Sequence, residues 1–195
     1  MHRRHILILL SFLCYHSWVV GQEVKTILSA PDNWNSEQIA FPLGFAPEID
    51  FKGFEDIRFA PGWADKNSEQ FWTYHFTWFI QNRGALTEEV LTETMNGYFD
   101  GLTRAVLKQQ SDETDPETLG KALCLFIKTE DGFRGKMRVF DAFFSKEYIT
   151  LNVTIKEWFC EGSNKQIVSF NISPQPLDHE VWEVFQNVKV VWECK

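Results

Sequence analysis

Tyr148-Ile149-Thr150-Leu151-Asn152-Val153-Thr154-Ile155-Lys156 alternates apolar and polar side chains without a break, and its reading decides the fold. Successive side chains of a strand point to opposite faces. Ile149, Leu151, Val153 and Ile155 therefore share one side, and Thr150, Asn152, Thr154 and Lys156 the other. One oily and one wetter face is the signature of an antiparallel sheet with its core on one side.

The neighbouring segments extend the same pattern. Upstream, 121–129 and 134–144 flank Glu130-Asp131-Gly132-Phe133, whose Asp-Gly step is a hairpin signal. Downstream, Gly162-Ser163-Asn164 turns the chain into 166–173, and Pro174 and Pro176 end that strand. A meander over 121–173 follows.

Before the meander the period changes. Val90, Leu91, Met95, Tyr98, Phe99, Leu102, Ala105 and Val106 recur at three and four, which predicts a helix over 86–109 with one apolar face. Thr87 suits its N-cap, Glu88 and Glu89 its first turn, and Leu86 against Leu91 a hydrophobic staple. Gly97 and Gly101 each cost a helix about 1 kcal/mol relative to Ala, so a close approach to the sheet is expected there.

Ahead of the helix, the aromatic and β-branched run 71–80 reads as a central strand apolar on both faces. Residues 22–62 read as irregular, with short strands at 39–41 and 57–59. At the far end, Asp178 is the expected cap of a short helix carrying Val181, Trp182, Phe185 and Val188, followed by a last strand at 190–192. The fold class is α+β: a single largely antiparallel sheet with the long helix packed on one face and a short C-terminal helix. If that second helix takes the other face, the architecture is an α/β/α sandwich. No repeat or linker divides 22–195, which reads as one domain.

Residues 1–21 read as a secretory signal: basic His2-Arg3-Arg4-His5, the largely apolar 6–13, and small residues Val19 and Gly21 before a cut at Gln22. The apolar run is too short to span about 30 Å of hydrocarbon. Leu13 before Cys14 is too bulky for a lipid-modification signal. The expected product is exported, periplasmic or extracellular, with no transmembrane segment. In that compartment Cys160 and Cys194, each at the end of a strand-like segment, are the preferred disulfide pair, although spacing alone does not fix connectivity. Cys124, inside an apolar run, reads as a small buried hydrophobe.

The chain has 195 residues and a formal net charge of -8, with 44% hydrophobic and 15% aromatic residues. That composition excludes a disordered chain. The acidic balance disfavours nucleic acid as a partner.

The element order, strand, long helix, antiparallel strands, short helix, strand, is similar to that of the PsbP family of photosystem-II oxygen-evolving proteins and its Mog1-like relatives. Separately, Phe59-Ala60-Pro61-Gly62-Trp63, Phe71-Trp72-Thr73-Tyr74 and Tyr98-Phe99-Asp100-Gly101-Leu102 look like segments of uncharacterised secreted bacterial proteins. The first resemblance implies a binding or assembly role more than an enzyme. It carries no motif and so assigns no residue.

Little in the sequence points to catalysis. Beyond residue 21 the histidines are His75, mid-strand among aromatics, and His179, beside the capping Asp178. No nucleophile elbow, phosphate loop or paired-cysteine metal motif is present. No cofactor and no metal are expected. Acid pairs such as Glu48 and Asp50, Glu55 and Asp56, and Glu130 and Asp131 sit beside turn signals, where solvated acids are the rule. Asn152-Val153-Thr154 and Asn171-Ile172-Ser173 fit the glycosylation pattern but lie in strands, as wet-face residues.

Aromatic excess remains, with eight Trp. Trp34 and Trp63 fall in Pro/Gly-containing loops. With Phe71 and His75 they form the expected ligand-binding set, against the alternative that those loops fold back as lids on the core. The leading expectation is an exported, non-catalytic domain that binds a protein partner or a small hydrophobic ligand, and more weight falls on no enzyme than on one. The alternative is a secreted hydrolase using acids near His75, which requires Asp50, Glu55, Asp56 and His75 to converge in a cleft. A third reading is a purely structural protein with a sealed core.

Overall fold

The computed structural model describes residues 26–194, so the signal expected at 1–21 lies outside the described residues. Nine strands and one long helix alternate along the chain: β1 (Leu28–Ser29), β2 (Asn35–Ala40), β3 (Gly53–Phe59), β4 (Tyr74–Gln81), α1 (Glu88–Gln109), β5 (Leu123–Thr129), β6 (Gly132–Phe140), β7 (Tyr148–Cys160), β8 (Lys165–Ser173) and β9 (Lys189–Val190). Seven of the strands form one sheet in the order β2-β3-β4-β8-β7-β6-β5, and β1 pairs with β9 apart from it. Every pairing is antiparallel. The fold class is therefore mixed α+β with one long helix.

The meander forms where the alternation places it. Leu151, Val153 and Ile155 are buried on the α1 side of β7. The hairpin turn is Glu130-Asp131, and Gly132 is already paired with Thr129, at φ 130°. The first half of the sheet is more regular than its prolines suggest, because β2 and β3 pair along their whole lengths between the punctuated loops.

β4 starts three residues later than its composition suggests. The amides of Trp72 and Thr73 donate to the carbonyls of Trp63 and Gln70, so the ladder cannot use them, and Trp72 sits at φ 53°. From Tyr74 onward the strand is interior, between β3 and β8, and buried on both faces to Ile80.

α1 carries the chain from the centre of the sheet to its far edge. Thr87 caps it, its side chain accepting from the Val90 amide. Val90 is 42% exposed, because it lines an open cleft with Phe51 and Ile80. Gly97 and Gly101 approach a loop and not the sheet: a Cβ at Gly101 would run into the Phe45 carbonyl, and one at Gly97 would meet Glu48.

The C-terminal helix is a 3-10 helix, Glu180–Asn187, and its cap is His179, whose Nδ1 accepts from the Val181 amide, in place of Asp178. On the outer face of the sheet, away from α1, Ile27, Leu28, Phe79, Ile167 and Val188 form a second cluster, with Trp34, Trp158 and Trp192 against it. The Cys160–Cys194 disulfide, Cα atoms 5.0 Å apart, ties the chain end to this cluster. The strand expected at 190–192 shortens to the two residues of β9.

Seven strands about 4.8 Å apart make a sheet about 30 Å wide, and a helix with side chains is about 10 Å across. α1 lies over β5 and β6. The inner face of β2 and β3 must be covered by loops or left open.

Candidate functional site

The uncovered part is an apolar groove of about 510 Å³ between the C-terminal half of α1 and the β2–β3 end of the sheet. Its floor comes from Ile57, Phe59 and Tyr74, inner-face residues of β3 and β4. Tyr98, Leu102 and Val106 of α1 form one wall. Trp63, Trp72 and Phe143, from the 60–73 and 141–147 loops, form the other. Polar side chains stand at its margin: Glu37, Gln38 and Gln109.

The loop wall is preassembled. Trp63 packs on Phe59 with ring centroids 4.5 Å apart and edge-on to Phe144 at 4.9 Å. Trp72 stands 6.1 Å from Trp63. Asp141 holds the opposing turn, accepting from the Phe143, Phe144 and Ser145 amides at 3.0, 3.0 and 2.7 Å. Among the described residues neither the Trp63 nor the Trp72 indole N–H has an acceptor.

Behind the Tyr98 wall lies a buried carboxyl. Glu55 is fully enclosed and accepts from Trp78 Nε1 at 2.7 Å and from Tyr98 Oη at 2.9 Å. Desolvation raises it from 4.5 to about 7 against those two hydrogen bonds, and the charge of Glu37 adds to the rise. The Glu37 carboxyl is also held above its ordinary range by partial desolvation. Tyr98 and Tyr74 are pushed well above the usual phenol range, first by burial and then by Glu55.

The sequence-predicted residues divide between the two faces. Trp63 lines the groove, and Phe71 stands beside it, 5.8 Å from Phe144. Trp34 belongs to the outer-face cluster, edge-on to Phe185 at 6.4 Å. His75 points to that same outer face, where Nδ1 meets Asn171 Oδ1 at 2.7 Å and Nε2 meets Thr77 Oγ1 at 2.9 Å. Burial lowers the imidazole from 6.5 to about 4, opposed by the Asn171 bond. Asn171 is thus occupied in a side-chain network, and Asn152 is buried with its amide on the Pro174 and Gln175 carbonyls, so neither is a wet-face residue.

The four groups required by a hydrolase do not converge. Asp50 is exposed and ion-paired with Arg83 at 2.7 Å. Glu55 faces inward, whereas Asp56 faces outward and binds the Ile27 amide and Arg58. Among the described residues no group of three or more His, Cys, Asp or Glu side chains could hold a metal ion. A second cleft of about 440 Å³, between Glu48, Asp50, Arg83, Glu93 and Gln166, is more polar and has an acidic lip.

Sequence reading finds Trp63 but places Glu55 among solvated acids, and it misses the α1 wall. No local signal marks Glu55: its place opposite Trp78 on the inner face follows only from the β3–β4 register.

No protein-family model, curated protein or solved structure matches this chain.

Proposed function

We propose that this chain is a non-catalytic binding domain whose groove takes a small, uncharged hydrophobic molecule. One observation carries the reading: a cleft of about 510 Å³ walled by Trp63, Trp72, Tyr98 and Leu102, with polar groups only at its margin. That volume lies in the range of small-molecule sites, which are mostly apolar with a few placed polar groups. A carboxylate ligand would meet Glu37 at the margin and Glu55 behind Tyr98. A neutral one would not.

The test is titration with N-phenyl-1-naphthylamine, a neutral apolar fluorophore, followed by competition with a long-chain alcohol and the matched carboxylate. Saturable binding, displaced better by the alcohol and abolished by Leu102→Arg, supports the reading. A folded protein that binds no probe, or a Leu102→Arg variant that binds as well, removes it.

Export belongs to the same proposal. It is supported by the n-region, apolar run and small-residue order of 1–21 and by the Cys160–Cys194 disulfide. An N-terminus at Gln22 on protein recovered outside the cytoplasm would establish it. The likeness in element order to the PsbP and Mog1-like proteins agrees with a binding role. The 3-10 helix and the β1–β9 pair read as the second cover of an α/β/α sandwich.

A further inference from the structure

We infer that the outer face of β5, β6 and β7 docks on an anionic lipid surface. Leu123, Leu125 and Ile127 of β5 stand 54%, 61% and 66% exposed in one row at the sheet margin. Each is paired across the ladder with an exposed cation of β6: Leu123 with Arg138, Leu125 with Lys136 and Ile127 with Arg134. β7 adds exposed Lys156, and no carboxylate shares this face of the three strands. In a chain with 27 acids against 19 Lys and Arg, that is a marked segregation of charge. None of the four cations forms an ion pair among the described residues, and Arg138 lies 3.8 Å over the Tyr148 ring.

The geometry selects the occupant. A second copy packed face to face would set these cations against their own kind. A strand added at the β5 edge is obstructed, because α1 already covers it: Glu88, Asn96 and Asp100 accept from the outward amides of Lys128, Cys124 and Ala122 at 3.1, 2.9 and 2.8 Å. A protein partner binds through buried anchors in shaped pockets, and neither cleft described above is lined by these residues. A bilayer needs no pocket. Its phosphates take the cation row and its acyl boundary takes the aliphatic row beside it. Exposed Glu130 and Asp131 flank this face at the β5–β6 turn, and screening over about 8 Å at physiological salt weakens the opposition of more distant acids.

The experiment is co-sedimentation of the protein, as recovered from its host, with vesicles of phosphatidylcholine alone and with 30% phosphatidylglycerol. The expected result is binding to the anionic vesicles only, weakened by salt, at about fivefold per cation removed. Arg134→Glu/Lys136→Glu should lose at least tenfold, as should Leu125→Ser/Ile127→Ser, while Lys66→Glu, at an exposed position away from this face, binds as the parent does. Circular dichroism keeps misfolded variants out of the comparison. Equal binding to both vesicles, no binding to either, or binding that survives the Arg134/Lys136 reversal overturns the inference. The last outcome would place the contact elsewhere in the chain. Capture by soluble polyglutamate at the strength seen with vesicles also overturns it and assigns the face to an acidic protein.

Discussion

Tyr98 of α1 donates to Glu55 of β3 across the inner layer at 2.9 Å, and this bond forms the back of the groove. It joins the one long helix to a strand that the helix does not cover. The carboxyl it serves is fully buried and raised to about 7 by desolvation. A carboxyl whose folded value exceeds its unfolded value destabilises the fold when ionised. The penalty is absent below about 4.5, grows as pH rises, and is complete above about 7, on the order of 3 kcal/mol.

Glu55→Gln should therefore stabilise the protein at pH 8 and leave it nearly unchanged at pH 4.5. The amide can keep both contacts, its oxygen accepting from Trp78 Nε1 and its nitrogen donating to Tyr98 Oη. Urea denaturation at the two pH values reads the difference. Equal shifts at both would show that packing, and not ionisation, decides the effect.

His75 has the opposite sign. Burial lowers its imidazole to about 4, so the unfolded chain takes the proton first. Its contribution is complete above about 6.5 and is lost as pH falls toward 4. Between 4.5 and 6.5 the two slopes oppose each other, and the parent protein should show nearly constant stability. Glu55→Gln should uncover a loss on acidification, and His75→Gln a gain. A parent whose stability changes steeply in that window, with both variants following it in parallel, would contradict the pairing of these two groups.

How much of this was legible in the sequence depends on the element. The meander was, because 148–156 of β7 alternates without a break, and so was α1, whose staple, cap and apolar positions agree. β2 and the start of β3 were not. Neither Asn35-Ser36-Glu37-Gln38 nor Glu55-Asp56 alternates in hydropathy, since an acid at an inner position is paired by residues distant in sequence. The groove was half legible. Trp63 advertised itself as a loop aromatic, but Trp34 has the same local signature and folds onto the other face. Only the sheet order, with α1 at the β5 side, decides which loop meets an open floor.

Gly101 and Gly97 look alike in sequence and should respond in opposite ways to alanine. At Gly101 the added methyl meets the Phe45 main-chain carbonyl, which cannot yield without moving the 43–46 turn. Gly101→Ala should cost about 1–3 kcal/mol. At Gly97 the nearest atom is the end of the exposed Glu48 side chain, 3.1 Å away, which can swing aside. Gly97→Ala should gain up to about 1 kcal/mol from helix propensity. Chemical denaturation of both variants checks this, and a costly Gly97→Ala would mean the helix is seated on that loop more tightly than described.

The Cys160–Cys194 bridge closes a sequence separation of 34 residues. On chain-entropy grounds its removal should cost about 4 kcal/mol, less whatever the native geometry takes back. Cys124 should stay silent throughout. Its thiol is buried and pushed up to about 12 by desolvation, with Asp100 adding to the rise. In the chain that begins at Gln22, which lacks Cys14, Ellman's reagent should label no cysteine in the native protein and one in urea. A native thiol titre of one or more would mean that Cys124 is accessible or that the bridge is open.

The side chains along the β5 edge should be what keeps this protein from pairing with itself. Residues four apart on a helix rise about 6 Å, and residues two apart on a strand rise about 6.7 Å. That near match lets Asp100 and Asn96 of α1 accept from Ala122 and Cys124 in turn, and Glu88 reaches Lys128 further along. An exposed strand edge is a template for another chain, and this one carries Leu123, Leu125 and Ile127 beside it. Asn96→Ala/Asp100→Ala should free two amides, cost about 1–3 kcal/mol for each one left unpaired, and make the protein associate as its concentration rises. Sedimentation velocity reads the association, and hydrogen exchange should quicken at Ala122 and Cys124. A variant that stays monomeric with unchanged exchange at both amides would show that the helix does not guard the edge.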